Sequence, residues 1–326
     1  MPPARHSASA NAAPPPEPAA ARPGPFQRLW RAPALLLALA VLFWSGNFVV
    51  GRAVHEAVPP VALAFWRWTG GLVLVLAFAG AHLRRDLPML RQRWKTVLVL
   101  AVFGIAAYNT LVYLGLRSTT AINALLMQSA MPLVILLFSF LLFGERARPM
   151  QLLGVVASLA GVAVIAGRGS PSALFDLSLN VGDAWVMAAV VSYALYSAML
   201  QKRPTVHPLS FLAATFAVGA ATLLPIYVWE SATIAPLRPS VTAFLAIGYV
   251  ALFPSFLAYL CFNRGVELIG ANRAGQFVHL MPVFGSILAI AFLGEAFHAF
   301  HAVGIGLIAA GILLATFGSR AGHSRG

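Results

Sequence analysis

The chain has 326 residues, of which 60% are hydrophobic and only 10% charged. Soluble domains carry about 25% charged residues, so this composition excludes a water-soluble globular fold. The net charge of +13 would favour nucleic-acid binding in a soluble protein, but here the basic residues lie in short segments between apolar stretches. We therefore expect no nucleic-acid partner and attribute the basic charge to orientation in a lipid bilayer.

The two ends of the chain differ from the rest in composition. Residues 1–30 are rich in proline and alanine and lack apolar periodicity, which predicts a disordered cytoplasmic tail. This segment lacks the apolar core of a cleavable signal peptide, so the first apolar stretch is expected to stay in the protein. Residues 319–326 are predicted to form a second, short cytoplasmic tail.

Between the tails lie ten apolar stretches, and about 20 residues of α-helix suffice to cross a hydrocarbon core about 30 Å thick. Backbone polar groups in lipid must be paired within their own segment, which favours helices. The sequence therefore predicts an all-α integral membrane protein with ten transmembrane helices. The predicted helices span residues 33–52, 60–81, 96–116, 120–143, 149–167, 182–201, 208–229, 240–262, 271–293 and 298–318.

Most basic residues fall on one side of these predicted helices. Of the 22 Lys and Arg residues, 16 lie on the side of the chain termini. Cytoplasmic loops carry the excess of Lys and Arg, so the bias predicts that both termini are cytoplasmic. An odd number of helices would disturb this alternation, so the charge pattern also favours ten. The opposite side holds Arg52, Arg117, Arg168 and Arg238.

The sequence contains an internal repeat with an offset of 150 residues. Residues 121–167 and 271–317 both carry the pattern M-P-x11-G-E-x8-G-x6-G without a gap. We infer a duplication whose units cover residues 31–168 and 180–318. Each unit holds five predicted helices, and because five is odd the second unit must enter the membrane upside down relative to the first. Inverted repeats are typical of secondary transporters, whose substrate site lies near the midplane where the repeats meet.

Several segments resemble a known family. They are the run LFWSGNFVVGR in the first predicted helix, FWRW in the second, the Gly-Glu dipeptides after the fourth and ninth, and residues 262–295. These segments resemble the EamA type of the drug/metabolite transporter superfamily, and the resemblance covers about residues 33–318. It implies ten helices, cytoplasmic termini, a central cavity between the halves, and transport of small metabolites, often export of amino acids or their relatives.

Polar side chains in the predicted helices should face the bundle interior, because exposure to lipid is costly. Many come in pairs three or four residues apart, which places both members on one helix face. We interpret them as lining one cavity in which rings contact an apolar solute and amides fix its polar end. Hydrogen bonds that merely join helices are the alternative. The candidate residues are Trp44, Asn47, Tyr108, Asn109, Tyr113, Gln128, Tyr193, Tyr196, Tyr259, Asn263, Gln276 and His279.

Arg67 is a further candidate, about seven residues into the second predicted helix and without a carboxylate nearby in sequence. Two interpretations stay open. The side chain could extend to the interface beside Trp66 and Trp68, or it could bind a carboxylate or phosphate of the substrate. No acidic residue is expected at the midplane, and His279 is the deep group suited to protonation near neutral pH. Facilitated diffusion, exchange and proton coupling through His279 all stay open as mechanisms.

Matching residues of the repeat suggest moving and packing elements. Pro132 and Pro282 occupy equivalent places in the fourth and ninth predicted helices and are candidate hinges. Small residues in the fifth and tenth helices predict that these two helices pack together, within one chain or between two. These small residues are Gly154, Ser158, Gly161, Gly304 and Gly311.

The favoured function is a secondary carrier that exports a small metabolite such as an amino acid. Arginine accounts for 20 of the 22 basic residues, which is typical of a GC-rich bacterial source and indicates a plasma membrane. We expect a monomer or a homodimer, with a small-molecule substrate and the lipid bilayer as partners and no cofactor or metal.

Two other functions stay open. An importer or exchanger of sugar-phosphate-like or nucleotide-linked solutes is the alternative within transport. An intramembrane enzyme is a remote third, because Ser286 lies seven residues after His279 on one helix face. The sequence contains no G-x-S-x-G or H-E-x-x-H motif, which weakens the case for an enzyme.

Overall fold

The computed structural model describes residues 29–167, 169–170, 180–293 and 298–317. All regular secondary structure in these ranges is helical. Most of each predicted tail lies outside the described residues, and so does the Gly294-Glu295 pair of the repeat pattern.

Eight helices are long and apolar enough to cross a bilayer, so the chain is a multi-pass membrane protein. They are α1 Pro33–Ala53, α2 Pro60–Gln92, α3 Trp94–Gly115, α4 Asn123–Phe143, α5 Pro149–Ala166, α6 Val181–Lys202, α7 Pro208–Thr233 and α8 Val241–Ile269. Two further helical segments are described: α9, residues 271–293, which is interrupted by a 3-10 turn, and α10 Ala299–Phe317. The count of ten spans stays a prediction, because α9 is broken and the described apolar part of α10 is shorter than 18 residues.

Side-chain contacts place the ends of the helices alternately on two sides of the bundle. Helices α2, α4, α6 and α8 finish at one end of the bundle, which we call the basic end. We call the other end the opposite end. At the basic end, Arg203 at the end of α6 and Arg264 in α8 both contact Glu267. At the opposite end, Arg52 of α1 donates to the carbonyl oxygen of Leu116 after α3 at 2.7 Å.

The predicted end of α2 at residue 81 was wrong, because the helix continues to Gln92. Charged residues such as Arg84 and Arg85 begin at this point, and they mark where a span leaves the membrane. They do not stop a helix, since Leu, Arg and Met are strong helix formers. The extension carries Asp86 to the start of α7.

Helices α2 and α7 pack antiparallel, and each binds the first turn of the other. Glu230, near the end of α7, is buried and accepts hydrogen bonds from the backbone N–H groups of Val61 and Ala62 at 3.1 and 2.8 Å. Asp86 of α2 accepts from the N–H of His207, directly before α7, at 2.9 Å. First-turn N–H groups lack helical partners and favour negative charge, so the two carboxylates join the helices at both ends.

Helices α5 and α10 pack through glycines within one chain, which is one of the two arrangements expected from the sequence. A Cβ on Gly154 would lie 2.5 Å from the carbonyl oxygen of Gly311, and one on Gly161 would lie 2.6 Å from that of Gly304. Residue numbers rise along α5 as they fall along α10, so the helices are antiparallel. Side chains larger than hydrogen would force these backbones apart.

Helices α4 and α9 cross at equivalent interruptions. In α4 the break falls between Gln128 and Met131, and in α9 the 3-10 turn Gly275–His279 precedes Leu280. A Cβ on Gly275 would meet Ile135, and a Cβ on Gly285 would meet Leu125. At the repeat offset of 150, Gly275 corresponds to Leu125 and Gly285 to Ile135, so the two contacts are equivalent. The α4 helix ends at Gly144, whose φ of 69° is the left-handed conformation that favours glycine.

Helices α3 and α8 each contain one π-helical turn at the same repeat position. The turns are Val102–Ala107 in α3 and Leu252–Leu257 in α8, which differ by the repeat offset of 150. A π-turn changes the backbone hydrogen-bond register and leaves carbonyl groups available to side chains, and such turns are frequent at functional sites. Both turns lie in the middle of their helices and face the site described next.

Candidate functional site

The polar side chains predicted from the sequence are buried in the described structure, and most meet in two adjoining clusters. We call the first the arginine cluster, made of Arg67, Asn47, Tyr113 and the Pro254 carbonyl group. We call the second the aromatic cluster, made of Trp44, Tyr108, Tyr193, Tyr196 and Tyr259.

Arg67 is the centre of the arginine cluster and is fully buried. Its Nη1 donates to Asn47 Oδ1 at 2.7 Å and to the Tyr113 hydroxyl at 2.9 Å, and its Nη2 donates to the Pro254 carbonyl oxygen at 3.0 Å. The Tyr113 hydroxyl also donates to Asn47 Oδ1, at 2.6 Å. Side chains of α1, α2 and α3 and the backbone of α8 are thereby joined around one guanidinium group.

The surroundings of Arg67 exclude the interpretation that it extends to the membrane interface, because its side chain is 0% exposed whereas the adjacent Trp66 is 38% exposed. No carboxylate lies within ion-pair distance of Arg67 in the described part of the chain. The Arg67 Nε atom also lacks an acceptor among the described residues. A buried cation with neutral acceptors is costly, and a bound anion would reduce that cost.

The π-turn of α8 explains why a backbone carbonyl group can serve this site. The Pro254 oxygen lies within the turn and accepts from Trp44 Nε1 at 3.0 Å as well as from Arg67. Its repeat equivalent in the π-turn of α3 is the Gly104 oxygen, which accepts from the Tyr259 hydroxyl at 2.5 Å. Both halves of the protein therefore direct one π-turn carbonyl group towards a side chain at the centre.

The aromatic cluster lies beside the arginine cluster and is closely packed. The ring of Trp44 meets Tyr193 edge-on at a centroid distance of 5.4 Å and Tyr259 at 5.9 Å. Tyr193 in turn contacts Tyr108 at 4.5 Å and Tyr196 at 5.1 Å. These geometries are favourable for aromatic pairs. The rings fill the centre between α1, α3, α6 and α8.

Amide side chains lie at the edges of the aromatic cluster. The Tyr196 hydroxyl donates to Asn263 Oδ1 at 2.9 Å, and the Tyr108 hydroxyl donates to Gln128 Oε1 at 3.4 Å. Asn109 is fully buried next to Tyr108. The structure therefore brings eleven of the thirteen predicted substrate-binding residues into one region, and their role in binding stays a prediction.

Gln276 and His279 lie elsewhere. Both are buried in the 3-10 turn of α9, which packs against α1, α4, α5 and α10. In the described part of the chain no hydrogen bond or ring contact joins them to the aromatic cluster, and both ring nitrogens of His279 lack a partner. Pro132 and Pro282 each follow the interruption of their own helix. The binding role of Gln276 and His279 stays a prediction, and so does the hinge role of the two prolines.

The sequence analysis missed several contributors to the site. Trp68 places its ring under the Arg67 guanidinium group at 4.7 Å, and Phe216 and Phe262 extend the aromatic packing. The two π-turn carbonyl groups were also missed. A signal for them existed, since Phe103-Gly104 and Phe253-Pro254 occupy equivalent positions at the repeat offset of 150.

A helical membrane fold in which two equivalent halves meet around buried polar side chains has the architecture of a membrane transporter. Comparison with protein families agrees with this class. The chain belongs to the EamA-like transporter family, whose model matches residues 31–167 and again residues 180–317. The resemblance read from the sequence is thus confirmed, and the family domain is present twice. Membership in a transporter family indicates transport rather than catalysis.

Individual relatives agree with the assignment, and a solved structure shares the fold. The chain is 26% identical over 280 residues to the uncharacterized transporter YyaM of Bacillus subtilis, covering 84% of this chain and 90% of the relative. It is 26% identical over 289 residues to the uncharacterized inner membrane transporter YedA of Escherichia coli K12, covering 87% and 90%. A solved crystal structure matches with a TM-score of 0.72 at 24% identity and covers 90% of this chain, which shows the fold alone.

Proposed function

We propose that the protein is a secondary carrier that exports a small metabolite, such as an amino acid or a related organic solute, by alternating access at the centre between its two repeats. The observation that carries this proposal is the buried Arg67 guanidinium group, held by neutral acceptors beside the aromatic cluster. A solute with a carboxylate group and an apolar body matches both features.

The chemistry of the arginine cluster favours a single negative charge on the solute. A guanidinium group forms two parallel hydrogen bonds with a carboxylate, and such charge-assisted pairs are strong in a dry site. Within the described residues, Arg67 is the one Lys or Arg with a buried side chain. A phosphate monoester carries about −1.5 to −2 charge at neutral pH, as phosphorylated side chains do, and would leave part of that charge unpaired. A carrier of phosphorylated solutes is therefore disfavoured.

The interruptions of α4 and α9 support the alternating-access part of the proposal. Rigid segments on either side of a broken helix can rotate with few new unsatisfied backbone groups, and Pro132 and Pro282 follow the two breaks. We propose these prolines as hinges. Proton coupling through His279 is the mechanism to test against facilitated diffusion and exchange. The enzyme alternative needed Ser286, whose side chain lies outside the described residues.

We propose the bacterial inner membrane as the location, with both termini in the cytoplasm and the basic end facing inward. The positive-inside rule supports this orientation, since 16 basic residues belong to that side. The name of the relative YedA places that relative in an inner membrane. We expect a monomer or a homodimer.

The experiment compares metabolites released by bacteria that overproduce the wild-type chain, Arg67→Ala, or the matched control Arg146→Ala, which removes an exposed arginine after α4. All three proteins are brought to equal membrane levels. The proposal expects one solute to accumulate outside cells with the wild type and the control, but not with Arg67→Ala. Release profiles of all three that equal the empty vector would contradict export of common metabolites.

A further inference from the structure

A cavity of about 450 Å³ opens at the basic end between α6, α8 and the start of α9. Its wall contains the ion pair of Arg203 and Glu267, whose N–O distance is 3.1 Å, together with apolar side chains such as Val206 and Val266. A cavity of this size can hold a small metabolite. Its wall also supplies one positive group, one negative group and apolar surface, which suit a small charged or zwitterionic solute.

The deepest polar residue of this cavity is Asn263, which is only 3% exposed. Its Oδ1 accepts the hydrogen bond from Tyr196, whereas its Nδ2 has no hydrogen-bond partner among the described residues. Beyond this pair lie the rings of the aromatic cluster, since Tyr196 contacts Tyr193 and Tyr259. The Tyr196–Asn263 hydrogen bond thus separates the cavity from the centre of the protein, and one buried donor is left free at the boundary.

The first repeat contains an equivalent of this pair. Asn263 of α8 corresponds to Tyr113 of α3 at the offset of 150, and Tyr196 of α6 corresponds to Asn47 of α1 at an offset of 149. Tyr113 donates to Asn47 at 2.6 Å, so each repeat places one Tyr–Asn hydrogen bond between its first and third helices, with the two residue types exchanged. Because the repeats are inverted, one pair lies towards the basic end and the other towards the opposite end.

The two pairs are not equally strong. Arg67 of α2 donates to both Asn47 and Tyr113 and strengthens their contact. Thr215 is the corresponding residue of α7 when both helices are counted from the proline that begins them. Its hydroxyl donates to the Phe211 carbonyl oxygen of its own helix. The pair at the opposite end therefore has a charged third partner, whereas none of the described residues donates a charged hydrogen bond to the pair at the basic end. The cavity lies on the side of the weaker pair.

We propose that this cavity is the site at which the solute first binds, and that the two Tyr–Asn pairs are the gates of the carrier. Tyr196–Asn263 closes the floor of the cavity, and Asn47–Tyr113 with Arg67 closes the path to the opposite end. The free Asn263 Nδ2 donates to the arriving solute, and breaking the Tyr196 bond admits the solute to the aromatic cluster. This inference rests on the proposed transport function.

Cysteine labelling tests the gates without any knowledge of the solute. Cys261 is the one cysteine of the chain, so Cys261→Ala gives a background for single cysteines. Val206→Cys reports on the cavity, and Ala258→Cys reports on the fully buried α8 surface five residues deeper than Asn263. A small, charged thiol reagent is applied to each side of sealed vesicles. The gate variants are Tyr196→Phe and Tyr113→Phe, which remove the tyrosine hydroxyl of one pair each and keep the ring.

We expect Val206→Cys to react from the basic end alone. Tyr196→Phe should raise the labelling rate of Ala258→Cys from the basic end by roughly threefold or more, the effect of losing one average hydrogen bond in a membrane protein. Tyr113→Phe weakens the opposite gate and should not raise that rate. Labelling of Val206→Cys from the opposite end, or equal rates for Ala258→Cys in both gate variants, would overturn the proposal. If the protein exports nothing but the labelling rates are as expected, the proposed function is overturned and the assignment of the two gates stands.

Discussion

The hydroxyl group of Ser158 lies 3.5 Å from the carbonyl oxygen of Ile308, and 150 residues separate the two. Because 150 is also the offset of the internal repeat, the two residues are repeat equivalents in contact with each other. Equivalent residues can touch in this way on the axis that relates the repeats. The glycine contacts of α5 and α10 are exchanged symmetrically on either side of this bond. The axis therefore passes through the α5–α10 contact, which supports the inverted arrangement of the two halves.

Close packing at this axis predicts that Gly161→Ala destabilises the protein. The added methyl group would lie 2.6 Å from the Gly304 carbonyl oxygen, so the helix backbones must separate. Overpacking of this kind costs about 1–3 kcal/mol. The measurement is thermal unfolding in detergent. Gly306→Ala in α10 is the matched control, because nothing lies within 4 Å of its Cβ position and alanine favours a helix, so it should unfold no earlier than the wild type. Equal unfolding temperatures for the two variants would contradict the packing described for α5 and α10.

The carboxylates that join α2 and α7 predict unequal effects of two similar changes. Glu230→Gln replaces one of two buried acceptors with an amide donor facing the N–H groups of Val61 and Ala62, so a cost of about 1–3 kcal/mol is expected. Asp86→Asn alters the carboxylate at the other end of the helix pair, in a more exposed place, and should change stability much less. Chemical denaturation in detergent compares the two. A larger loss for Asp86→Asn than for Glu230→Gln would show that burial does not determine the strength of these contacts.

The predicted orientation can be tested with reporter fusions. If both termini are cytoplasmic, alkaline phosphatase joined after Ser118, beyond the end of α3, should be active. The same enzyme joined after Thr205, beyond the end of α6, should be inactive. Green fluorescent protein at the C-terminus should fluoresce if α9 and α10 each cross the membrane. The reverse pattern of phosphatase activity would overturn the orientation, and a dark C-terminal fusion at normal protein level would contradict ten spans.

Much of the fold could be predicted because membrane helices obey simple rules of length and charge. The start of α2 at Pro60 and the end of α4 at Gly144 coincide with residues that begin or stop helices. The end of α2 could not be predicted in this way, since charged residues end a membrane span without ending a helix. The π-turns in α3 and α8 were missed because an apolar sequence looks alike in α- and π-helical form, and the match of Phe103-Gly104 with Phe253-Pro254 marks the position without naming the turn.

The composition of the site was predictable, but its geometry was not. Polar residues in apolar spans must face inward, and this rule found Arg67, Asn47 and Tyr113. The rule does not say which inward residues meet. It therefore grouped His279 with the side chains of the aromatic cluster, whereas His279 lies apart from them in the 3-10 turn of α9. The burial of Glu230 depends on its contact with the first turn of α2, which the rule does not describe.

The fork shape of arginine predicts that Arg67→Lys does not restore the site. A single ammonium group cannot reproduce the planar fork that donates to Asn47 and Tyr113 through Nη1 and to Pro254 through Nη2. Loss of one charged hydrogen bond costs about 1.5–3 kcal/mol. Export should fall at least about tenfold, since about 1.4 kcal/mol corresponds to a factor of ten. The rate of solute release at equal protein level measures this. Full activity of Arg67→Lys would show that charge alone is required.

Counterflow in proteoliposomes tests the central claim most directly, namely that a small solute passes through the site between the repeats. Vesicles containing purified protein are loaded with the unlabelled solute found in the release experiment, and the labelled solute is added outside. The account predicts transient accumulation of label with the wild type and with Arg146→Ala, and none above empty vesicles with Arg67→Ala. Accumulation that is equal in Arg67→Ala, or absent with the wild-type protein, would contradict it.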